Sequence, residues 1–283
     1  MKNIYAIGVG LIGGSLAIDI KKNNPDAIIH GISRKDATLE QALSLNLIDK
    51  KATLDDLINA DLVIVSIPVD ATVKLLPTIL DKIPDTALVV DAGSTKVDIC
   101  KAVENHPKRR NFLAMHPIAG TEHSGPTAAI AGLFNGKTNI VCEIEKTTFK
   151  LQEKALKLFG DIGMRMRYMN PADHDKHIAY VSHLSHISAF MLGKTVIDKE
   201  RNERDIFDMA GSGFASTVRL AKSSPEMWTP IFKQNKSNVV ETLEEYITNL
   251  TRFKEFLKDD NFEAIYTEMK STNHIKDILN GIN

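Results

Sequence analysis

The first 170 residues alternate short apolar runs with stretches whose apolar positions recur at helical spacing. Short apolar runs bounded by Gly, Pro, Asn or Asp read as strands, and recurrence at i, i+3, i+4 reads as helix. The pattern predicts strands at 4–8, 27–32, 62–67, 87–91, 112–115, 139–144 and 164–168. Between them it predicts amphipathic helices at 11–22, 39–45 and 147–160, with another following Val69. Strands alternating with helices build a mostly parallel sheet with both faces covered. The expectation for 1–170 is therefore an α/β domain of the Rossmann type.

The pattern changes after Asn170-Pro171. Strand signals fade, and apolar residues keep helical spacing through to Leu279, which predicts an all-α domain over 171–283. Pro171 suits the first position of a long helix running to about Asp198, because its fixed φ matches a helix start and its missing N–H is not needed there. Val239, Leu243, Tyr246, Ile247, Leu250, Phe253, Phe256 and Leu257 make a wide apolar stripe. Such a stripe is covered either by a second copy of the chain or by the domain's own long helix.

Size and charge narrow the function classes. A chain of 283 residues holds two domains with a sizeable core, and a net charge of −1 provides no attraction to nucleic acid or a membrane surface. No apolar run reaches the roughly 18 residues of a membrane span. The chain enters a strand almost at once, which leaves no room for a cleavable signal. Cys100 and Cys142 read as small core residues in a reducing compartment rather than a disulfide framework, so a cytoplasmic location is expected.

The first chemistry-bearing motif is Gly8-Val-Gly10-Leu11-Ile12-Gly13-Gly14-Ser15, between the first strand and the first helix. Gly8 permits the tight turn, Gly10 lets backbone approach a pyrophosphate, and Gly13 lets helix and strand pack closely; the helix N-terminus supplies free N–H groups. Bound NAD is usually recognised by an acidic residue at the end of the second strand. Here that end reads Ser33-Arg34-Lys35. Ser33 carries no carboxylate to repel a 2′-phosphate, and Arg34 can pair with one, so NADP is favoured and NAD stays open through nearby Asp36.

Ligands in open α/β sheets sit beyond the C-terminal strand ends. Three predicted strands end there in polar sequence: Ser66-Ile67-Pro68, set to line the cofactor edge; Asp91-Ala-Gly-Ser94-Thr-Lys96; and His116-Pro-Ile-Ala-Gly-Thr121-Glu122. An imidazole at 116 can accept the proton of a substrate hydroxyl as hydride leaves the same carbon. Ser94 either relays that hydroxyl or caps the next helix. The long helix adds His174, Asp175, His177, Ser182, His183 and His186, with two i, i+3 histidine pairs. No metal site is expected, since cysteine is absent there and the spacing fits no zinc pattern. These side chains read as polar contacts to a carboxylate substrate or as hydrogen bonds between domains, and Arg219 as a bidentate carboxylate clamp.

The runs from Asp91 and His116, together with His174-Asp175, Val181-Ser-His-Leu-Ser-His186, Gly213-Phe214 and Arg219, resemble the prephenate/arogenate dehydrogenase family in order and spacing, from Ile4 to about Leu257. The resemblance implies oxidative decarboxylation of prephenate to 4-hydroxyphenylpyruvate and CO2 with hydride transfer to NAD(P)+, a step of tyrosine biosynthesis. The apolar stripe of the helical domain, rather than the resemblance, is what leads to the expectation of a homodimer through that domain. Carried over by motif, His116 meets the ring 4-hydroxyl with help from Ser94, and Arg219 binds a carboxylate. Lys96, Thr121, Glu122, Ser182, His183 and His186 line the pocket. Ser33 departs from NAD-using members and is similar to NADP-using ones, some of which prefer arogenate. Three other readings are an arogenate dehydrogenase, which converts arogenate to tyrosine; more remotely a β-hydroxyacid dehydrogenase, which relies on a lysine in its helical domain; and a dinucleotide sensor without chemistry.

Overall fold

The computed structural model describes residues 1–200 and 205–280. Eight strands form one sheet: β1 (Asn3–Ile7), β2 (Ile28–Ile32), β3 (Lys50–Lys51), β4 (Leu62–Val65), β5 (Leu88–Asp91), β6 (Phe112–Pro117), β7 (Thr138–Cys142) and β8 (Arg165–Met169). Their order is β3-β2-β1-β4-β5-β6-β7-β8, parallel throughout except where β7 runs antiparallel to β6. All seven predicted strands occur. Two end two residues earlier than the apolar pattern implies: β4 stops where Ser66-Ile67-Pro68 turns into a helix, and β7 stops before Glu143, whose φ of +50° breaks the extended run.

Side-chain alternation along the strands divides the core in two. Ile4, Ala6, Ile64, Val90 and Met115 point to one face, under α1 (Leu11–Asn23), α2 (Asp36–Ser44) and α5 (Phe149–Asp161). Tyr5, Ile7, Val65, Val89 and Ala114 point to the other, under α3 (Val69–Lys82) and α4 (Val97–Ala102). The central strands are buried on both faces, as a parallel sheet requires.

Among the described residues from Pro171 onward the regular elements are helices: α6 (Pro171–Ile178), α7 (Leu184–Glu200), α8 (Ser212–Thr217), α9 (Pro225–Gln234), α10 (Lys236–Lys258), α11 (Phe262–Thr272) and α12 (Ile275–Asn280). Pro171 does open α6, with the Asn170 side chain accepting the Asp173 N–H at 2.8 Å as its cap. The expected long helix is interrupted in hydrogen bonding by a π-helical turn, Ala179–His183, which joins α6 to α7. Such turns recur at functional sites because they re-aim side chains without ending the helix.

The chain forms two compact units, Met1–Lys236 and Ser237–Asn283. The first includes the sheet, α6 to α9 and every candidate site residue. Within it, Trp228 and Ile231 of α9 join the sheet core beside α3. The second holds most of α10, then α11 and α12, and many of its large apolar side chains stay open: Ile247, Leu250, Leu257, Phe262, Tyr266 and Met269 are each at least half exposed. Among the described residues no helix is long and apolar enough to cross a membrane.

Candidate active site

The glycine loop adopts the geometry its spacing predicts. Gly8 has φ +90°, and a Cβ there would meet Ser66 O at 2.5 Å; one on Gly13 would meet Gly8 O at 2.1 Å. Both positions are thus closed to any side chain by backbone. Gly10 differs: a Cβ there would find nothing nearer than Gly125 N at 3.8 Å, so open space adjoins the turn. α1 begins beyond Gly10 with no side-chain cap and no acidic residue in its first turn, which leaves the amides around Leu11 and Ile12 available. These features fit a dinucleotide pyrophosphate.

Ser66 does not use its hydroxyl toward that space. It donates to Gly8 O at 2.7 Å and pins the glycine turn, while Pro68 is exposed at the start of α3. At the end of β2, Ser33 Oγ accepts the Lys35 N–H at 3.3 Å and Arg34 is exposed. Asp36, the acidic residue closest to a ribose-reading position, is paired with Lys51 at 2.7 Å.

The ends of β5 and β6 meet α6 in a buried chain of hydrogen bonds. His116 Nδ1 lies 2.8 Å from His174 Nε2, and His174 Nδ1 lies 2.7 Å from Asp175 Oδ1. The Asp175 carboxylate also accepts the Lys96 N–H at 2.7 Å and the Val97 N–H at 3.0 Å at the start of α4. An acceptor on His174 Nδ1 puts that proton on Nδ1 and leaves Nε2 as a lone pair. His116 must then donate from Nδ1, so its own Nε2 is an unprotonated acceptor. Burial lowers the His116 pKa well below 6.5, with the charges of His174 and Lys96 adding to the effect. His174 is lowered as well, mainly by burial against the opposing pull of Asp175. The site thus holds a neutral imidazole base with a defined tautomer.

Motif order could not reveal this relay. His174-Asp175 is visible as a dipeptide, but the sequence reads it only as contact with a carboxylate substrate or as a hydrogen bond between domains, with no partner named. Only the packing of α6 on the strand ends turns it toward His116. His177, expected to share a face with His174, is exposed instead.

Lys96 corrects its expected place. Its side chain is fully buried, its ammonium pairs with Asp91, and it donates to Met115 O at 2.7 Å. Asp91 in turn accepts Gly93 N at 2.9 Å and Met115 N at 3.2 Å. The pair braces β5 against β6 beneath His116 rather than presenting a cation to a pocket, since a buried carboxylate needs a partner. Ser94 is half-buried in the β5–α4 turn and does not cap α4, whose first amides are held by Asp175.

The remaining candidates divide into two groups. On the loop after β6, Thr121 Oγ1 accepts the His123 N–H at 3.2 Å, and Glu122 Oε2 pairs with Arg219 Nη1 at 2.6 Å. The backbone amide of Glu122 itself, then Arg219, hold that carboxyl below its usual pKa. On the π turn and α7, His186 donates from Nδ1 to Ser182 O at 3.0 Å and stacks on Trp228 with ring centroids 3.5 Å apart. His183 is fully buried beside Trp228, and its Nδ1 accepts from Asn235 Nδ2 at 3.1 Å; burial lowers its pKa to about 4. That leaves His183 Nε2 buried without a hydrogen-bond partner, like Trp228 Nε1. Trp228 and Asn235 were missed in the sequence, where no spacing ties them to the histidines.

Fold and site together define a dinucleotide-dependent dehydrogenase with a buried neutral histidine at the C-terminal edge of its sheet. The chain belongs to the prephenate dehydrogenase family: residues 16–168 match the model of its nucleotide-binding domain and 170–271 that of its dimerization domain. It is 31% identical over 280 residues to the prephenate dehydrogenase of Bacillus subtilis, an alignment spanning 98% of this chain and 76% of that protein. The structure of prephenate dehydrogenase from Aquifex aeolicus in complex with hydroxyphenyl propionate and NAD+ superposes with a TM-score of 0.90 at 31% identity, over 99% of this chain and 98% of that one. Synechocystis arogenate dehydrogenase gives 0.77 at 25% identity, over 98% and 99%. The chain is an NAD(P)-dependent oxidoreductase acting on a small molecule.

Proposed function

We propose that the protein catalyses oxidative decarboxylation of prephenate to 4-hydroxyphenylpyruvate and CO2, the reaction of tyrosine biosynthesis, with His116 as the base. The observation that carries this is the His116–His174–Asp175 relay, which leaves Nε2 of His116 as a hydrogen-bond acceptor. When bound, the nicotinamide supplies the hydride acceptor. The hydride departs from ring C4, the bond from C1 to the ring carboxylate breaks, and its electron pair completes the aromatic ring. His116 accepts the C4 hydroxyl proton in a hydrogen bond as positive charge develops at that carbon, and the phenol product keeps the proton. Ser94 flanks this position from the neighbouring strand end.

Arg219 is assigned to a substrate carboxylate, with Glu122 as the group it holds otherwise. Thr121, Ser182, His183 and His186 complete the pocket wall with Trp228. The split into a cofactor domain over 1–170 and a substrate and dimerisation domain over 171–283 follows the change from sheet to helix at Met169 and Pro171. The exposed apolar side chains of α10 to α12 support a homodimer through that region. The reading includes a cytoplasmic location and no nucleic-acid partner. NADP is the preferred cofactor on the strength of Ser33 and the unpaired Arg34, with Asp36 neutralised by Lys51.

Purified protein mixed with prephenate or arogenate and either NAD+ or NADP+, followed by absorbance of the reduced nicotinamide, tests the reading. Turnover of prephenate supports it. A rate with arogenate alone replaces prephenate by its amino counterpart, and no rate with either sinks the assignment.

A further inference from the structure

Gly14 and Ser15 belong to the glycine-rich run yet have no part in the phosphate cradle. They lie with Asp19 on a face of α1 that holds the loop between β6 and β7. Ser15 Oγ accepts the Ile130 N–H at 2.8 Å, and Asp19 Oδ1, one turn along, accepts the Gly132 N–H at 2.7 Å. A Cβ on Gly14 would stand 2.9 Å from Ala129 Cβ, so the glycine is what lets the loop lie on the helix. The loop touches three residues of α1 with Ala129, Ile130 and Gly132. Before them it passes Gly125, whose N is the atom nearest to the open side of Gly10. Left-handed φ values at Gly125 (+83°) and Gly132 (+73°) bracket this strapped segment.

Asp19 is only 5% exposed, and its Oδ2 has no hydrogen-bond partner. A buried carboxylate oxygen left unsatisfied is destabilising. What the fold obtains from Asp19 is the grip of its other oxygen on Gly132.

We propose that Ser15 and Asp19 are positioning residues: they fasten the β6–β7 loop to the cofactor helix, so that occupancy of the dinucleotide cradle steadies the loop bearing Thr121 and Glu122. Cofactor and substrate then bind cooperatively, and by linkage each raises the affinity for the other by the same factor. The inference rests on reading the glycine turn as the cofactor cradle and the loop as part of the substrate pocket.

Hydrogen–deuterium exchange of residues 118–132 in the full chain, with and without NADP+ or NAD+, reads the coupling directly. In the unaltered protein the cofactor slows exchange there. In Ser15→Ala and Asp19→Ala that slowing is lost, the prephenate KM rises about tenfold, and the cofactor Kd measured in the absence of substrate stays within about threefold. Asp19→Asn restores both, because its amide oxygen still accepts from Gly132. Cofactor protection that survives in the alanine variants overturns the proposal. So does a rise in the cofactor Kd measured without substrate that matches the rise in KM, or a failure of Asp19→Asn to rescue. Should the unaltered protein not oxidise prephenate while the alanine variants still abolish cofactor protection, the substrate assignment falls and the anchor stands.

Discussion

His116 Nδ1 lies 2.8 Å from His174 Nε2, two side chains 58 residues apart that share one buried hydrogen bond. Through it Asp175, which bonds to His174 and not to His116, selects the tautomer of His116. His116→Asn replaces the basic ring nitrogen with a non-basic amide and lowers kcat by roughly 10²–10⁴-fold. His174→Phe keeps the imidazole but releases its tautomer, and kcat falls by about 10–100-fold with KM little changed. Steady-state kinetics of both variants check this; an unchanged kcat in His116→Asn moves the base elsewhere, first to His186.

The buried histidines set a pH dependence of stability. His116, His174, His183 and His186 all have folded pKa values below 6.5, with burial the leading cause in each. Between folded and unfolded values the unfolded chain binds more protons, so stability rises with pH across that window. It is complete above pH 6.5 and is lost as the pH falls toward 4. For His183, held at about 4, the loss reaches on the order of 3 kcal/mol. Urea midpoints measured from pH 7 to 4 should fall steeply, and His183→Asn should flatten the slope. The acid limb of kcat/KM also lies below pH 6.5, since His116 stays unprotonated there.

Arg219 pairs with Glu122 across 97 residues of sequence. A guanidinium bond to a substrate carboxylate contributes about 1.5–3 kcal/mol, so Arg219→Ala raises the prephenate KM by about 10–100-fold while kcat changes less. Equal losses in kcat and kcat/KM would instead assign Arg219 to the transition state.

Cofactor choice is read at Ser33 and Arg34. Ser33→Asp places a carboxylate where a 2′-phosphate would lie, and the ratio of kcat/KM for NADP+ over NAD+ falls by about 10–100-fold. A ratio that already favours NAD+ in the unaltered protein, and does not move, would show that Arg34 faces solvent only.

Elements governed by short-range rules were legible along the chain. Short apolar runs found seven strands, Pro171 marked the start of α6, and Gly8, Gly10 and Gly13 declared a tight turn before a helix. The missed strand, Lys50–Lys51, has two exposed lysines and no pattern of its own; it exists because β2 offers a free edge for pairing. The π turn inside the long helix escaped for a similar reason, since apolar spacing does not register one extra residue in a turn.

What the sequence by itself determined is the class of fold and the identity of the histidine at its ligand edge, because strand, turn and glycine signals depend on neighbours a few residues away. The tertiary structure decided what each polar side chain is for. It drew Lys96 inward to Asp91, took Ser66 for the glycine turn, and set His174 and Asp175 behind His116. A buried polar group must find a partner wherever the fold places one, and which partner arrives depends on how α6 packs against β5 and β6. No local pattern encodes that.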